Sequence, residues 1–218
     1  FKGRANHVNP IDLNCYLYNF ERTMSRFAQE LGKDSEEVAL WRERANMRYE
    51  RMLTYCYDEE TGVFFDYNYV AQQKTYIYCA ACYLPYVFGL TKHRGALSKI
   101  NERLILEHGV VSCQEMPFDG AVCQWGYPNA WAPHNYFAYV ANKAAGEEGT
   151  AERICRNYLS TVADEFAHSG KLYEKYDAVL GGKATLNEYG TPEMLGWTAG
   201  VFCWLYQEKS SDGSLRNF

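Results

Sequence analysis

The 218-residue sequence lacks the features that mark several classes of protein. It has no run of about 18 consecutive apolar residues, which argues against a membrane-spanning helix in this stretch. It has no basic run and carries a formal net charge of −5, so a surface for nucleic acid or anionic lipid is not expected. It also has no phosphate-binding loop, nucleotide signature or metal-ligand pattern, and we therefore predict no cofactor and no metal.

The cysteines do not form a pattern that indicates a disulfide framework or a metal site. Eight are present, but they are scattered through a chain long enough to fold without disulfide bonds. Cys79 and Cys82 have the spacing of redox and zinc sites, yet they lie in an apolar run without a second pair or a histidine pair. We interpret them as buried free thiols, which favours a reducing compartment such as the cytoplasm.

Apolar and aromatic residues are plentiful. Hydrophobic residues make up 47% of the chain and aromatic residues 16%, including 19 tyrosines, so a large core can form. We predict one domain over residues 1–218.

Apolar residues at steps of three and four predict a series of helices. The first begins after Asn9-Pro10 and ends near Gly32, and Asp34 has the position of an N-cap for the second, whose apolar stripe runs from Val38 to Cys56. Further helices are predicted at 76–90, 94–107, 129–144, 151–167 and 197–207.

The predicted helices alternate between mostly apolar and amphipathic. This rhythm predicts an all-α stack of helical hairpins with an inner and an outer layer, which forms a barrel if it closes. An open helical solenoid used for binding is the alternative. The loops 108–127 and 168–195 could meet at one mouth of a barrel, where functional residues usually lie.

Two segments have the residue types of a carbohydrate site. The first is QWGYPNAWAP at 124–133, in which indole rings alternate with amides and prolines. Aromatic faces cover the apolar faces of sugar rings, and amides bind hydroxyl groups. The second holds Glu174, Asp177 and Glu188 in a loop-rich stretch. Hydrolysis of a glycosidic bond needs two carboxyl groups, although three acids also occur in ordinary solvated loops.

Four ordered blocks resemble the trehalase family of inverting hydrolases. QWGYPNAWAP is similar to that family's QWD-x-PN-x-WAP, and Pro10-Ile-Asp-Leu-Asn14 is similar to PVDLN. Glu174-Lys-Tyr-Asp177 matches EKYD, and Glu188-Tyr189 with Gly196–Gly200 is similar to GEY and GWTNG. The resemblance implies an (α/α)6 toroid-type barrel, or its C-terminal part, and hydrolysis of an α-linked glucoside, trehalose above all.

The resemblance also implies roles for individual residues. Glu174 corresponds to the general base that activates water, and Glu188 to a residue that binds substrate hydroxyls. Trp125 and Trp131 would form walls of the sugar site, Gln124 and Asn129 would fix the loop or bind a hydroxyl, and Trp197 would begin an inner helix beneath the site. For each tryptophan the alternative is an ordinary core residue, and for Glu174 a capping or surface acid. We interpret His134 as a hydrogen-bonded helix residue.

The sequence departs from the family pattern in ways that leave two interpretations open. Gly126 stands where the family has Asp, and the family's general acid belongs to a block upstream of PVDLN that these residues do not include. The chain is therefore either the C-terminal part of a trehalase-like hydrolase or a catalytically incomplete module that binds sugar or has a structural role. A different α-glucoside is a further possibility. We expect the isolated chain to be inactive and to self-associate through exposed inner helices.

Overall fold

The computed structural model describes residues 5–117, 123–185, 188–193 and 196–211. Its helices are α1 (Ile11–Glu30), α2 (Ser35–Tyr55), α3 (Leu84–Val87), α4 (Arg94–Leu104), α5 (Ala132–Ala145), α6 (Glu148–Ser169) and α7 (Gly196–Ser211), with 3₁₀ turns at Ala5–His7 and Ala80–Tyr83. The short strands are β1 (Val8–Asn9), β2 (Tyr67–Asn68), β3 (Gln73–Lys74), β4 (Ile105–Leu106), β5 (Gly109–Val110), β6 (Asn129–Trp131) and β7 (Lys175–Asp177). They pair antiparallel as β1-β2-β3, β4-β5 and β6-β7.

The helices form two layers. α1, α3, α5 and α7 contact one another in that order and make up the inner layer. α2 packs on α1, α4 packs on the 3₁₀ turn before α3, and α6 packs on α5 and α7. Inner and outer helices therefore alternate along the chain, which confirms the predicted fold class: an α/α barrel, of which the described helices form a part.

The predicted start of α1 and the predicted cap of α2 are both present. α1 begins directly after Pro10, and the Ile11 amide donates to Asp66 Oδ1 at 2.8 Å. Asp34 Oδ1 accepts from the Glu37 amide at 2.7 Å, which satisfies one of the free amides of the first turn of α2. Gly32, with φ of +64°, follows the end of α1, a position that favours glycine.

The predicted length of the helix at 76–90 is wrong. Only the 3₁₀ turn Ala80–Tyr83 and the single turn α3 are helical. Pro85 can occupy the first turn of a helix but cannot donate within one, and Gly89 at φ +72° ends the segment. Before the turn, Cys79 has an extended backbone that forms an isolated antiparallel β-bridge with Cys113, and both cysteines are free thiols. The segment is nevertheless largely buried, as its composition predicted.

Two further helix boundaries differ because strands replace helical turns. The helix predicted over 94–107 ends at Leu104, since residues 105–106 form β4 with β5. The helix predicted from residue 129 begins at Ala132, since residues 129–131 form β6 with β7.

A buried polar network joins the two layers. Asn101 on α4 and Asn142 on α5 exchange side-chain hydrogen bonds of 2.8 and 3.2 Å. The Tyr83 hydroxyl donates to Asn101 Oδ1 at 3.1 Å, and Asn142 also donates to the Ala138 carbonyl at 2.8 Å. A buried amide left without a partner costs roughly 1–3 kcal/mol by mutation, so this reciprocal pairing keeps α4 and α5 in register.

α1 leaves large apolar side chains exposed, as expected for an inner helix with one open flank. Leu13, Phe20 and Phe27 are 50%, 53% and 45% exposed. Self-association through such side chains stays a prediction. Among the described residues, no helix is both long and apolar enough to cross a membrane.

Candidate active site

Pairing of β6 with β7 brings the two predicted site segments together. Asn129 lies opposite Asp177, Ala130 opposite Tyr176, and Trp131 opposite Lys175. Directly opposed residues of an antiparallel pair share a face, so Trp131 and Lys175 lie side by side. The tryptophan segment and the EKYD segment, more than 40 residues apart in the chain, thus form one structural unit.

Glu174 lies just before β7 with a largely buried side chain, 9% exposed. Two donors contact the same carboxylate oxygen, Oε2: the Tyr189 hydroxyl at 2.7 Å and Lys175 Nζ at 2.6 Å. The main chain is fixed as well, because the Glu174 amide donates to the Pro192 carbonyl at 3.0 Å and its carbonyl accepts from the Trp197 indole at 3.3 Å. The carboxylate is therefore held in a defined orientation, in contrast to a surface acid.

Three indole rings form a stack beside this carboxylate. Trp125 and Trp131 lie parallel, with ring centroids 4.1 Å apart and an interplanar angle of 15°. Trp197 meets Trp131 edge to face at 5.4 Å. Trp131 is buried, whereas Trp125 is 49% exposed and Trp197 is 37% exposed. Trp131 is therefore the core residue of the stack, and Trp125 is its most exposed ring.

The two amides predicted for this segment occupy different positions. Asn129 is buried, and its side chain donates to the Gln124 carbonyl at 3.2 Å. The same carbonyl accepts from the Trp131 indole at 3.0 Å. This position fits the loop-fixing alternative for Asn129. The Gln124 side chain instead lies at the site, with Oε1 2.8 Å from the Tyr189 hydroxyl.

Gly126, which replaces the family's Asp, lies in a tight turn. Its amide donates to the Cys123 carbonyl at 2.8 Å, and its carbonyl accepts from the Asn129 amide at 3.0 Å. A Cβ at residue 126 would lie 3.0 Å from the Cys123 carbonyl oxygen. The backbone turn in this chain is therefore compact enough to disfavour a side chain at that position.

Glu188 and Tyr189 have different environments although they are adjacent. Glu188 is exposed, and Tyr189 reaches Glu174 through its hydroxyl. Burial, the hydrogen bond to Glu174 and the charges of Glu174 and Glu188 together raise the pKa of Tyr189 to about 12. The hydroxyl therefore keeps its proton at neutral pH and donates to the carboxylate.

Lys175 and Tyr189 have no role predicted from the sequence. Each directly follows a motif glutamate, which was the available signal. His134 lies in α5 as expected, and its Nδ1 is buried without a hydrogen-bond partner among the described residues, so its hydrogen bonding stays a prediction. Its ring lies 5.6 Å from that of Trp125, and burial lowers the pKa of His134 to about 4, so the ring is neutral at pH 7.

Parts of both predicted loops lie outside the described residues: 118–122, 186–187 and 194–195. Leu195, which precedes the GWTAG block, is one of them. Within the described ranges, no group of three or more His, Cys, Asp or Glu side chains is arranged to hold a metal ion.

The two-layer helical fold and a carboxylate beside stacked indoles are typical of α/α-barrel glycoside hydrolases. A family model described as Trehalase matches residues 1–208, and the chain belongs to the trehalase family. The chain resembles the neutral trehalase Nth1 from Saccharomyces cerevisiae with 28% identity and a TM-score of 0.82. The match covers 95% of this chain and 39% of the yeast protein, so the chain spans about two fifths of that protein's length.

Two proteins of Thermus thermophilus share the fold at lower identity. The GH63 mannosylglycerate hydrolase, solved in complex with glucose, is 20% identical with a TM-score of 0.70, over 92% of this chain and 45% of that one. An uncharacterized conserved protein is 21% identical with a TM-score of 0.67, over 92% of this chain and 47% of that one.

Proposed function

We propose that this chain carries the base half of a trehalase active site, which hydrolyses trehalose with inversion at the anomeric carbon. Glu174 is the general base. It takes a proton from the attacking water while a carboxylic acid elsewhere in the polypeptide protonates the leaving oxygen. In inverting enzymes the two carboxyl groups lie about 6.5–9.5 Å apart, which leaves room for that water.

The observation that carries this proposal is that both side-chain donors of the Glu174 carboxylate contact the same oxygen. In the part of the chain that the structure describes, its side-chain hydrogen bonds go to Oε2, from Lys175 and Tyr189. Both donors contact the same oxygen and fix the orientation of the carboxylate. Oε1 remains as the oxygen that can accept a proton from water.

The neighbouring side chains supply the sugar subsite. The open face of Trp125 covers the apolar face of a glucose ring, and Trp197 lines the same site at the start of α7. Gln124 and the exposed Glu188 form hydrogen bonds with its hydroxyls. Asn129 and Trp131 support these side chains from the protein interior, since both are buried and fix the loop and the indole stack.

The test is to follow trehalose hydrolysis by proton NMR in the complete polypeptide encoded by the gene. Inversion predicts that one glucose of each pair is released as the β anomer and the other as the α anomer. Glu174→Gln is expected to lower kcat by about 10²–10⁴-fold. Glu193→Gln is the matched control, because Glu193 is an exposed acid whose side chain pairs with Lys171 instead.

Three outcomes would point elsewhere. Wild-type turnover by Glu174→Gln removes this residue from the base role. Cleavage of another α-glucoside in preference to trehalose changes the substrate. Saturable binding of trehalose without turnover by the wild-type polypeptide favours the alternative, a catalytically incomplete sugar-binding module.

A further inference from the structure

Lys175 is a fully buried charged residue in the centre of the site. It is 0% exposed and begins β7, directly opposite Trp131. Removing an ammonium group from water costs several kcal/mol unless a partner compensates for the lost hydration. A lysine buried this completely at a strand pair therefore indicates a specific local requirement for its charge, which an apolar residue of similar length would not meet.

Two aromatic faces and one carboxylate surround the ammonium group. Nζ lies 4.1 Å from the centroid of the Tyr189 ring and 4.8 Å from that of Trp131. Both distances are within the range of cation–π contacts. The third partner is Glu174 Oε2 at 2.6 Å. The rings thus fix where Nζ lies, and Nζ in turn fixes one oxygen of the carboxylate.

The geometry points to Lys175 as a positioning residue for Glu174, clamped between the rings of Trp131 and Tyr189. It holds Oε2 so that Oε1 is presented to the attacking water. This inference rests on the proposed function. It deepens that function by assigning the orientation of the base to one ion pair.

The other groups around the pair differ from Lys175 in charge or in contacts. Tyr189 donates a neutral hydrogen bond to the same oxygen, and Glu188 is an exposed acid. Asp177, two residues along β7, accepts from the backbone amides of Val179 and Leu180 at 2.8 and 2.9 Å. Among the described residues that contact the Glu174 carboxylate, Lys175 is the one that carries a positive charge.

The experiment compares Lys175→Met and Lys183→Met in the complete polypeptide, with trehalose as substrate. Lys183 is a matched control because its Nζ also lies over a tyrosine ring, that of Tyr173 at 4.7 Å, but its side chain is exposed. Lys175→Met is expected to lower kcat about 10- to 100-fold with a change in KM of less than about threefold. Lys183→Met is expected to match the wild type in both.

Rescue by a conservative variant distinguishes positioning from a purely structural ion pair. Lys175→Arg keeps a positively charged donor beside the carboxylate, so it is expected to recover part of the kcat lost in Lys175→Met with KM close to the wild-type value. A purely structural ion pair predicts a lower melting temperature with an unchanged kcat at temperatures where the variant is folded.

Lys175→Gln keeps a hydrogen-bond donor without a charge, and it replaces Lys175→Met if that variant does not fold by circular dichroism. A wild-type kcat in a folded, uncharged variant overturns the positioning role. Full activity of Glu174→Gln would instead refute the proposed function itself. Loss of activity in Glu174→Gln with wild-type behaviour of Lys175→Met would leave the proposed function standing and overturn only this inference.

Discussion

Replacing Tyr189 with Phe removes one hydrogen bond of the candidate base, together with the contact between the same hydroxyl and Gln124 Oε1 at 2.8 Å. The change removes the hydroxyl that donates to Glu174 Oε2 at 2.7 Å, and it keeps the ring that lies 4.1 Å from Lys175 Nζ. The cation–π contact and the ion pair should therefore persist. Because the pKa of Tyr189 is raised to about 12, the wild-type hydroxyl is a proton donor throughout the pH range in which a glycosidase would work.

The expected size of the effect follows from the type of bond and from its exposure. A hydrogen bond to a charged group contributes about 1.5–3 kcal/mol. Tyr189 is 39% exposed, so water can replace the hydroxyl in part, and the lower end of that range applies. About 1.4 kcal/mol corresponds to a tenfold change, so kcat is expected to fall roughly tenfold.

The assay is trehalose hydrolysis at saturating substrate. Tyr206→Phe is the matched control, because Tyr206 is an exposed tyrosine on α7 that lies against Phe202. Equal kcat values for Tyr189→Phe and Tyr206→Phe would show that the Tyr189 hydroxyl has no influence on the base.

Three further predictions concern binding, stability and pH. Trp125→Ala removes the exposed ring of the indole stack. It is expected to weaken trehalose binding, measured by calorimetry, by about 1 kcal/mol, with little change in melting temperature. Unchanged affinity would exclude Trp125 from the subsite. Asn142→Ala removes the amide that pairs with the buried Asn101 side chain. It is expected to lower the free energy of unfolding, measured by urea denaturation, by about 1–3 kcal/mol. An unchanged free energy of unfolding would mean that the amide pair does not stabilise α5. Burial lowers the pKa of His134 from 6.5 to about 4. As the pH falls, His134 therefore takes up a proton in the unfolded chain before it does so in the native protein. The contribution of the neutral residue to the free energy of unfolding is complete above pH 6.5 and is lost as the pH falls towards 4. The melting temperature of His134→Gln should therefore decline less steeply over that interval than that of the wild type, and parallel declines would contradict the assignment.

The helices with clear periodicity could be predicted from sequence, and those interrupted by strands could not. α1, α2 and α6 have apolar stripes at steps of three and four, and Asp34 caps α2 as predicted. The segment 76–90 is apolar all round, and periodicity cannot distinguish a buried helix from buried extended chain of that composition. Its burial was therefore predicted correctly, and its secondary structure was not.

The composition of the candidate site was visible in the sequence, but its connections were not. The motifs indicated Glu174 and the tryptophans, whereas the β6–β7 pairing that joins them is only three residues long on each strand. Lys175 reads as an ordinary charged residue next to an acid, and only its burial opposite Trp131 marks it as part of the site. Tyr189 likewise is identified as part of the site by the hydrogen bond that its hydroxyl donates to Glu174.

The most direct test of Glu174 as the base is nucleophile replacement in Glu174→Ala, in the complete polypeptide with trehalose. Azide is already an anion and needs no deprotonation, and the truncated side chain leaves space for it where the water would attack. If Glu174 is the base, azide restores turnover and the product is β-glucosyl azide, formed with inversion while the second glucose leaves with its proton from the general acid. Undiminished hydrolysis by Glu174→Ala without azide, or rescue that gives the α-glucosyl azide, would contradict it.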